Sequence, residues 1–313
     1  MIKEEFYFDS RDGENRIHAV RYTPDDGNVR GIVQIVHGMA EYVERYENLA
    51  EFLTKRGILV TGEDHLGHGK SVSEGGSFGY FCEQDPATVV VRDVHRLKKI
   101  TEEQYPQVPY IILGHSMGSF IARNYLCRYG SGIDGAVIVG TGMQSSGLIF
   151  ASKAMAGIQK LFCGSKHVSH FIDKAAFGGY NKRIDSPRTS SDWLSRNTDN
   201  VDRYIADELC GFTFTVNGFQ TLFELIRRLQ KQENLEKVPQ NLPILMVSGE
   251  EDPVGDYGKG VHKACDSLKR AGVKNIIVKL YENDRHELLN EDDAETAMED
   301  IWQWICKEVL GIA

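Results

Sequence analysis

The chain has 313 residues, 41% of them hydrophobic and 26% charged, and a formal net charge of −9 at pH 7. This composition is ordinary for a folded globular protein and excludes a largely disordered chain. The acidic balance and the lack of a basic stripe argue against nucleic-acid binding.

The start of the chain, MIKEEFYFDS, carries acidic residues where a secretory signal would have a cationic and then an apolar segment. No later window has 18 uninterrupted apolar residues, so we expect no stable membrane insertion. The six cysteines are far apart and form no C-x-x-C pair, which predicts reduced thiols rather than disulfides. These features together predict a cytoplasmic protein.

Strand and helix patterns alternate from the start of the chain. Two short segments, EFYF and RIHAVRY, flank the turn-rich SRDGEN and predict a hairpin. The run GIVQIVHG is almost entirely apolar, which is typical of a strand buried on both faces of a parallel sheet. The following YVERYENLAEFLTKRG has apolar residues three and four apart and a closing glycine, as a helix does.

The same alternation continues to residue 142 and resumes at about residue 243. Further predicted strands are ILVTGED, PYIILGH, IDGAVIVG, PILMVSG and NIIVKLYE. Further predicted helices are ATVVVRDVHRLKKITEEQY, SMGSFIARNYLCRYG, GKGVHKACDSLKRAG and EDDAETAMEDIWQWICKEVL. Repeated strand-helix pairs predict an α/β fold with a mostly parallel central sheet that helices cover on both faces.

The alternation stops between residues 143 and 236, where helical stretches such as GLIFASKAMAGIQKLF replace the β-branched runs. We therefore predict one core made of residues 1–142 and 237–313, interrupted by a mainly helical insertion at 143–236. Because the insertion lies between two strands at the edge where ligands bind, it is predicted to form a cap or lid. Extra helices packed on a remote face are the alternative.

The stretch LGHSMGSF places Ser116 in the pattern G-x-S-x-G, directly between a predicted strand and a predicted helix. This is the context of a nucleophile elbow, a sharp turn that lifts a serine above the sheet. The pentapeptide could arise by chance in a chain with 31 glycines, but the strand and helix around it favour a catalytic serine. A serine hydroxyl needs a base and a carboxylate to become a nucleophile.

The acid is expected in a loop after a late strand. The stretch PILMVSGEEDPVGD offers Glu250, Glu251, Asp252 and Asp256 there. We favour Asp252, because the proline that follows it stiffens the loop that must aim the carboxylate. Glu251 is the second choice, and a solvated acidic loop that caps the next helix is the non-catalytic alternative.

The base is expected after the last strand, where NIIVKLYENDRHELLNEDD places His286 in a polar loop. Ser116, Asp252 and His286 then follow the order nucleophile, acid and histidine that doubly wound hydrolases use. The oxyanion that forms when Ser116 attacks an ester would need backbone N–H donors. Met117 at the start of the elbow helix and Met39 in the loop after GIVQIV are the predicted donors. His115 is better explained as structural.

The loop EDHLGHGKS brings Asp64, His65 and His68 together, but no fourth metal ligand can be nominated with confidence. Hydrogen bonding to the loops around Ser116 is the preferred explanation. The ending G-K-S lacks the first glycine of a phosphate-binding loop. We therefore expect neither a metal nor a cofactor.

Five segments in order resemble the α/β-hydrolases of the monoacylglycerol lipase and lysophospholipase branch, which are also grouped with serine aminopeptidases. These segments are VHGMAEYVERYENLA, EDHLGHGKS, LGHSMGS, SGEEDPV and DRHELLNE. The resemblance implies an α/β-hydrolase fold with a cap over an apolar acyl pocket. It also implies Ser116, Asp252 and His286 as the triad, with Met39 and Met117 as oxyanion donors. Tyr42 departs from the pattern, because many relatives have histidine there.

The resemblance and the triad lead to a predicted serine hydrolase for esters of single-chain acyl lipids, a monoacylglycerol or a lysophospholipid. A short-chain carboxylesterase, a serine peptidase and a non-catalytic binding protein are the alternatives. The predicted partner is a small acyl-ester or lipid substrate, with transient contact between the cap and a lipid surface. Apolar residues of the insertion either line the acyl pocket or form core, among them Leu148, Ile149, Phe150, Leu161 and Phe162.

Overall fold

Eight strands form one central sheet in the computed structural model, which describes residues 1–312. The strands are β1 Ile2–Asp9, β2 Arg16–Thr23, β3 Gly31–Val36, β4 Ile58–Glu63, β5 Tyr110–His115, β6 Gly135–Val139, β7 Ile244–Gly249 and β8 Ile276–Tyr281. Their order across the sheet is β1-β2-β4-β3-β5-β6-β7-β8. All pairs from β4 to β8 are parallel, whereas β2 is antiparallel to both β1 and β4. The predicted mostly parallel sheet is therefore confirmed. Ala313, the last residue of the predicted second core segment, lies outside the described residues.

Helices connect the parallel strands. The α-helices are α1 Glu47–Thr54, α2 Pro86–Gln104, α3 Met117–Tyr129, α4 Ser146–Cys163, α5 His170–Phe177, α6 Thr198–Ala206, α7 Val216–Arg228, α8 Gln232–Leu235, α9 Lys259–Arg270 and α10 Ala294–Trp304. The helix predicted after Tyr42 begins with a 3₁₀ turn at Val43–Tyr46, and the last predicted helix ends in a π-helix at Ile305–Leu310. None of the helices within residues 1–312 is long and apolar enough to cross a membrane.

The sheet is covered on both faces. Buried residues of α2, α3 and α9 pack on one face, and those of α1 and α10 pack on the other. Successive side chains of a strand point to opposite faces, so Ile112 contacts the first group while Ile111 and Leu113 contact the second. Because neither face meets water, the central strands are mostly apolar on both faces rather than alternating.

The parallel strands bring distant segments of the chain to one edge of the sheet. Loops after β3, β5, β7 and β8 all leave from the carboxyl ends of their strands. Ser116, Asp252 and His286 lie in three of these loops, and Met39 lies in the fourth. The helices α4 to α8 all lie between β6 and β7 in the chain, so this segment leaves the sheet at the carboxyl end of β6, the same edge as these loops.

Two glycines allow the tight turn at Ser116, which has φ 54° and ψ −122°. A Cβ atom on Gly118 would lie 1.9 Å from the carbonyl oxygen of Val36, and one on Gly114 would lie 2.5 Å from the carbonyl oxygen of Gly118. Real side chains do not approach backbone atoms so closely. The elbow helix α3 can therefore contact β3 and β5 only because both positions are glycine.

We predict that Gly118→Ala lowers the free energy of unfolding by about 2–4 kcal/mol, because either α3 or β3 must move to admit the methyl group. Chemical denaturation with purified protein measures this. Gly147→Ala is the control, because a Cβ atom there meets nothing within 4 Å and the residue lies in the first turn of α4. Equal stability of the Gly118→Ala and wild-type proteins would contradict the packing argument.

Candidate active site

The loops after β7 and β8 form a carboxylate-imidazole pair. His286 Nδ1 lies 3.0 Å from Asp252 Oδ2, and both side chains are buried. The other oxygen, Asp252 Oδ1, accepts the backbone N–H of Val254 at 2.8 Å, which is how the residues after Pro253 fix the carboxylate. Since a carboxylate only accepts, Nδ1 of His286 carries the proton and Nε2 is left for the cavity. Glu251, the alternative acid, is exposed.

Ser116 forms the junction between β5 and α3. Its backbone N–H donates to the carbonyl oxygen of Val139 at 3.0 Å, and its own carbonyl oxygen accepts from the backbone N–H of Ser119 at 2.9 Å. These bonds hold the residue at a positive φ that only a few non-glycine residues adopt. Ser116 and His286 line the same cavity, and Ser116 remains partly exposed to it.

The loop after β3 lies directly beside Ser116. A Cβ atom on Gly38 would be 3.0 Å from the Cβ of Ser116. Met39, the next residue, and Met117, the first residue of α3, both line the cavity with Ser116. The structure thus brings all five predicted site residues to one place.

A buried carboxylate fixes this loop from the core side. Glu41 Oε1 accepts the backbone N–H of Gly38 at 2.6 Å, the hydroxyl of Tyr46 at 2.9 Å and Nδ1 of His115 at 3.1 Å. Burial alone would raise the pKa of Glu41, but the hydrogen bond and charge of His115 and the charge of Arg45 outweigh it and lower the pKa. Glu41 is therefore ionised at neutral pH.

His115 connects this carboxylate to the histidine loop. Its Nδ1 faces Glu41, and its Nε2 lies 3.2 Å from the carbonyl oxygen of His286. Burial would lower the pKa of His115, but the hydrogen bond and charge of Glu41 raise it. Because carboxylate and carbonyl oxygens both accept, the geometry favours a charged imidazolium that donates from both nitrogens. The predicted structural explanation of His115 agrees with this arrangement.

Arg45 joins the same two loops by a second route. Its guanidinium donates to Glu287 at 2.6 and 2.8 Å and to Glu41 Oε2 at 3.0 Å, and all three side chains are buried or nearly so. Burial would raise the pKa of Glu287, but the charge and hydrogen bonds of Arg45 lower it. The sequence offered only the i,i+4 spacing of Glu41 and Arg45 as a clue. Glu287 is 242 residues away from Arg45 and could not be paired with it in advance.

The loop after β4 supports its neighbours through hydrogen bonds, as the sequence favoured. Asp64 accepts from His18 Nδ1 and from the backbone N–H groups of Val43 and Lys70, each at 2.9 Å. The backbone N–H of His65 donates to His37 Nε2 at 3.0 Å, in the loop after β3. Burial lowers the pKa of His68 to about 3, so this side chain is neutral near pH 7.

A cavity of about 970 Å³ opens above Ser116. Leu148, Ile149 and Met155 of α4 and Leu222 and Phe223 of α7 form apolar parts of its wall. The other three apolar candidates of the insertion are neither wall nor core. Phe150, Leu161 and Phe162 have exposed fractions of 77%, 84% and 85%, because they lie on the outer sides of α4.

Comparison with known sequences identifies the family. The sequence profile described as "Serine aminopeptidase, S33" matches residues 27–293, which is most of the chain. The protein belongs to this family of α/β-hydrolases. The chain is 27% identical to the monoglyceride lipase of Rattus norvegicus, over 92% of this chain and 86% of that one. It is 28% identical to the monoacylglycerol lipase of Mycolicibacterium smegmatis, over 91% and 90% of the two chains.

Solved structures share the fold of this chain. The chain is similar to a thermostable carboxyl esterase from Bacillus coagulans in complex with glycerol, with a TM-score of 0.91, 31% identity and 99% of each chain covered. A soluble variant of the monoglyceride lipase of Saccharomyces cerevisiae, in complex with a substrate analogue, shares the fold at a TM-score of 0.76 and 20% identity, over 99% and 96% of the chains. Because its relatives are monoacylglycerol lipases and a carboxyl esterase, this protein of the S33 family is a carboxylic-ester hydrolase.

We predict that Arg45→Met lowers the free energy of unfolding by about 3–5 kcal/mol, because it leaves Glu41 and Glu287 buried without their cation. Arg188→Met is the matched control. The Arg188–Asp202 pair is about half exposed on both sides, so water screens it and its loss is expected to change stability little. Denaturant midpoints of both variants measure the difference, and equal losses would contradict the special role of the buried network.

Proposed function

We propose that the protein cleaves carboxylic esters of single-chain acyl lipids, monoacylglycerols or lysophospholipids, through an acyl-serine intermediate. The observation that carries the proposal is the 3.0 Å contact between His286 Nδ1 and Asp252 Oδ2 at a cavity that also exposes Ser116 on a strained elbow. This arrangement supplies a nucleophile, a base and the carboxylate that orients the base.

The reaction begins when Nε2 of His286 takes the proton of the Ser116 hydroxyl, whose oxygen attacks the ester carbonyl carbon. The resulting oxyanion is stabilised by the backbone N–H groups of Met39 and Met117. His286 then returns the proton to the leaving alcohol, and the acyl group stays on Ser116. Water, deprotonated by His286, then attacks this ester. The bond between the acyl carbon and Ser116 Oγ breaks, His286 returns the proton to Oγ, and the fatty acid is released. Asp252 keeps Nδ1 protonated and stabilises the imidazolium in both steps.

Residues 143–236 are proposed to act as the cap that shapes the acyl pocket. The apolar wall contributed by α4 and α7 matches a single hydrocarbon chain, for which burial is favourable by about 0.8 kcal/mol per methylene group. The rat relative is a monoglyceride lipase and the mycobacterial relative is a monoacylglycerol lipase, which supports the same substrate class.

A short-chain carboxylesterase is the second candidate, because the Bacillus coagulans carboxyl esterase shares 31% identity and a TM-score of 0.91 with this chain. Chain-length profiling separates the two functions. Purified protein is assayed with monoacylglycerols and lysophospholipids of increasing acyl length and with aminoacyl esters. The lipid proposal expects kcat/KM to rise with acyl length, whereas a maximum at acetyl or butyryl esters would favour the second candidate.

We also propose that the outer side of α4 makes transient contact with a lipid surface. Phe150, Leu161 and Phe162 are exposed there, while Leu148 and Ile149 of the same helix line the cavity. A lipid surface is the occupant that fits, because it would cover these side chains and present the substrate beside the pocket. The expected location of such an enzyme is the cytoplasm.

We predict that Ser116→Ala abolishes labelling by a fluorophosphonate probe and lowers turnover by about three orders of magnitude or more, with folding intact. Ser131→Ala, at an exposed serine just after α3, is the matched control and keeps wild-type labelling and turnover. Near-normal turnover or labelling of the Ser116→Ala protein would refute the serine mechanism.

For the lipid surface, we predict that a Leu161→Ser/Phe162→Ser double variant lowers activity on long-chain monoacylglycerol in vesicles by about tenfold and leaves activity on a soluble short ester unchanged. The double variant loses exposed apolar area, which weakens its binding to the bilayer but does not change the active site. The control is Ile2→Ser/Ile312→Ser, which removes two exposed apolar side chains elsewhere. Equal vesicle activity of wild type and the α4 variant would remove this part of the proposal.

A further inference from the structure

Two hydrogen bonds join the loop after β3 to one turn of the 143–236 segment. The hydroxyl of Tyr42 donates to Asp207 Oδ2 at 2.8 Å, and the backbone N–H of Gly211 donates to the carbonyl oxygen of Ala40 at 3.0 Å. Asp207 and Gly211, the partners on the side of the 143–236 segment, fall within the five residues 207–211, which follow α6. The turn therefore contacts the loop at the two positions that frame Glu41.

The turn is itself well ordered by local bonds. Asp207 Oδ1 accepts the backbone N–H of Leu209 at 2.9 Å, and the carbonyl oxygen of Asp207 accepts the N–H of Cys210 at 3.0 Å. One oxygen of the carboxylate thus fixes the turn while the other accepts from Tyr42. Gly211 has φ 67°, which lets the chain reverse and aim its N–H at Ala40.

The loop side of this contact is strained. Ala40 has φ 52°, in the left-handed region that alanine rarely occupies. Strained backbone persists only where its surroundings hold it. On the core side Glu41 holds the N–H of Gly38, and on the other side Gly211 holds the carbonyl of Ala40. Met39 lies between these two fixed points.

The end of this turn also borders the cavity. Gly211 and the two residues after it, Phe212 and Thr213, line the cavity, as does Tyr204 of α6. A molecule that fills the cavity would therefore contact the segment that includes Gly211, the residue that holds Ala40.

We propose that Tyr42 and Asp207 are positioning residues, which hold the Met39 N–H towards the oxyanion by seating the turn 207–211 on the loop after β3. This inference rests on the proposed function of Ser116 and Met39.

The test compares kcat and KM of purified variants on one soluble ester. Tyr42→Phe and Asp207→Ala are each expected to lower kcat about tenfold with KM changed less than twofold, because an oxyanion donor worth 10²–10³ is displaced but not removed. The double variant is expected to lose about the same tenfold, since both changes break one contact. Asp207→Asn is expected to rescue most of kcat, because its amide oxygen can accept from Leu209 while its NH₂ donates to the Tyr42 hydroxyl oxygen.

Tyr80→Phe is the matched control, because Tyr80 also donates to a carboxylate, that of Glu83 at 3.0 Å, but lies outside the cavity lining. Thermal unfolding of every variant identifies loss of folding. A Tyr42→Phe protein with kcat within twofold of wild type, single losses that multiply in the double variant, or no rescue by Asp207→Asn would overturn the proposal. Wild-type protein without Ser116-dependent activity would instead overturn the proposed function, so the two failures are distinguishable.

Discussion

The close approach of α3 to β3 is the constraint on which the rest of the site depends. At Gly118 the helix backbone comes so near to the carbonyl oxygen of Val36 that no side chain fits between them. This contact sets the elbow at Ser116 and brings Gly38 against the same residue. The hydroxyl, the Met117 N–H and the loop that carries the Met39 N–H are therefore held in place by backbone packing rather than by their own side chains.

Buried charged side chains hold the loops around Ser116 in place. Glu41 is the centre of the arrangement, because it accepts from the loop after β3, from His115 on β5 and from Arg45. Arg45 also donates to Glu287, which follows His286 in the chain. Losing any one member of such a network costs free energy, because the remaining charges stay buried without a partner. The segment 207–211 adds a further contact from outside the core.

The sequence predicted the sheet and its helices closely, because strands buried on both faces and amphipathic helices have distinct periods. It also predicted which loops meet, since the carboxyl ends of parallel strands share one edge. The choice of Asp252 over Glu251 agrees with its contact to His286. The partners of Arg45 and Tyr42 were beyond sequence reasoning, because Glu287 and Asp207 are 242 and 165 residues away. The exposure of Phe162 was also missed, because helical spacing alone does not say which apolar side meets solvent.

The most direct test of the account is a crystal structure of the protein after reaction with a long-chain alkyl fluorophosphonate. The account predicts phosphorus bonded to Ser116 Oγ, the phosphoryl oxygen about 3 Å from the backbone nitrogens of both Met39 and Met117, and the alkyl chain between α4 and α7. An adduct on another residue, or a phosphoryl oxygen that points away from both amides, would contradict it.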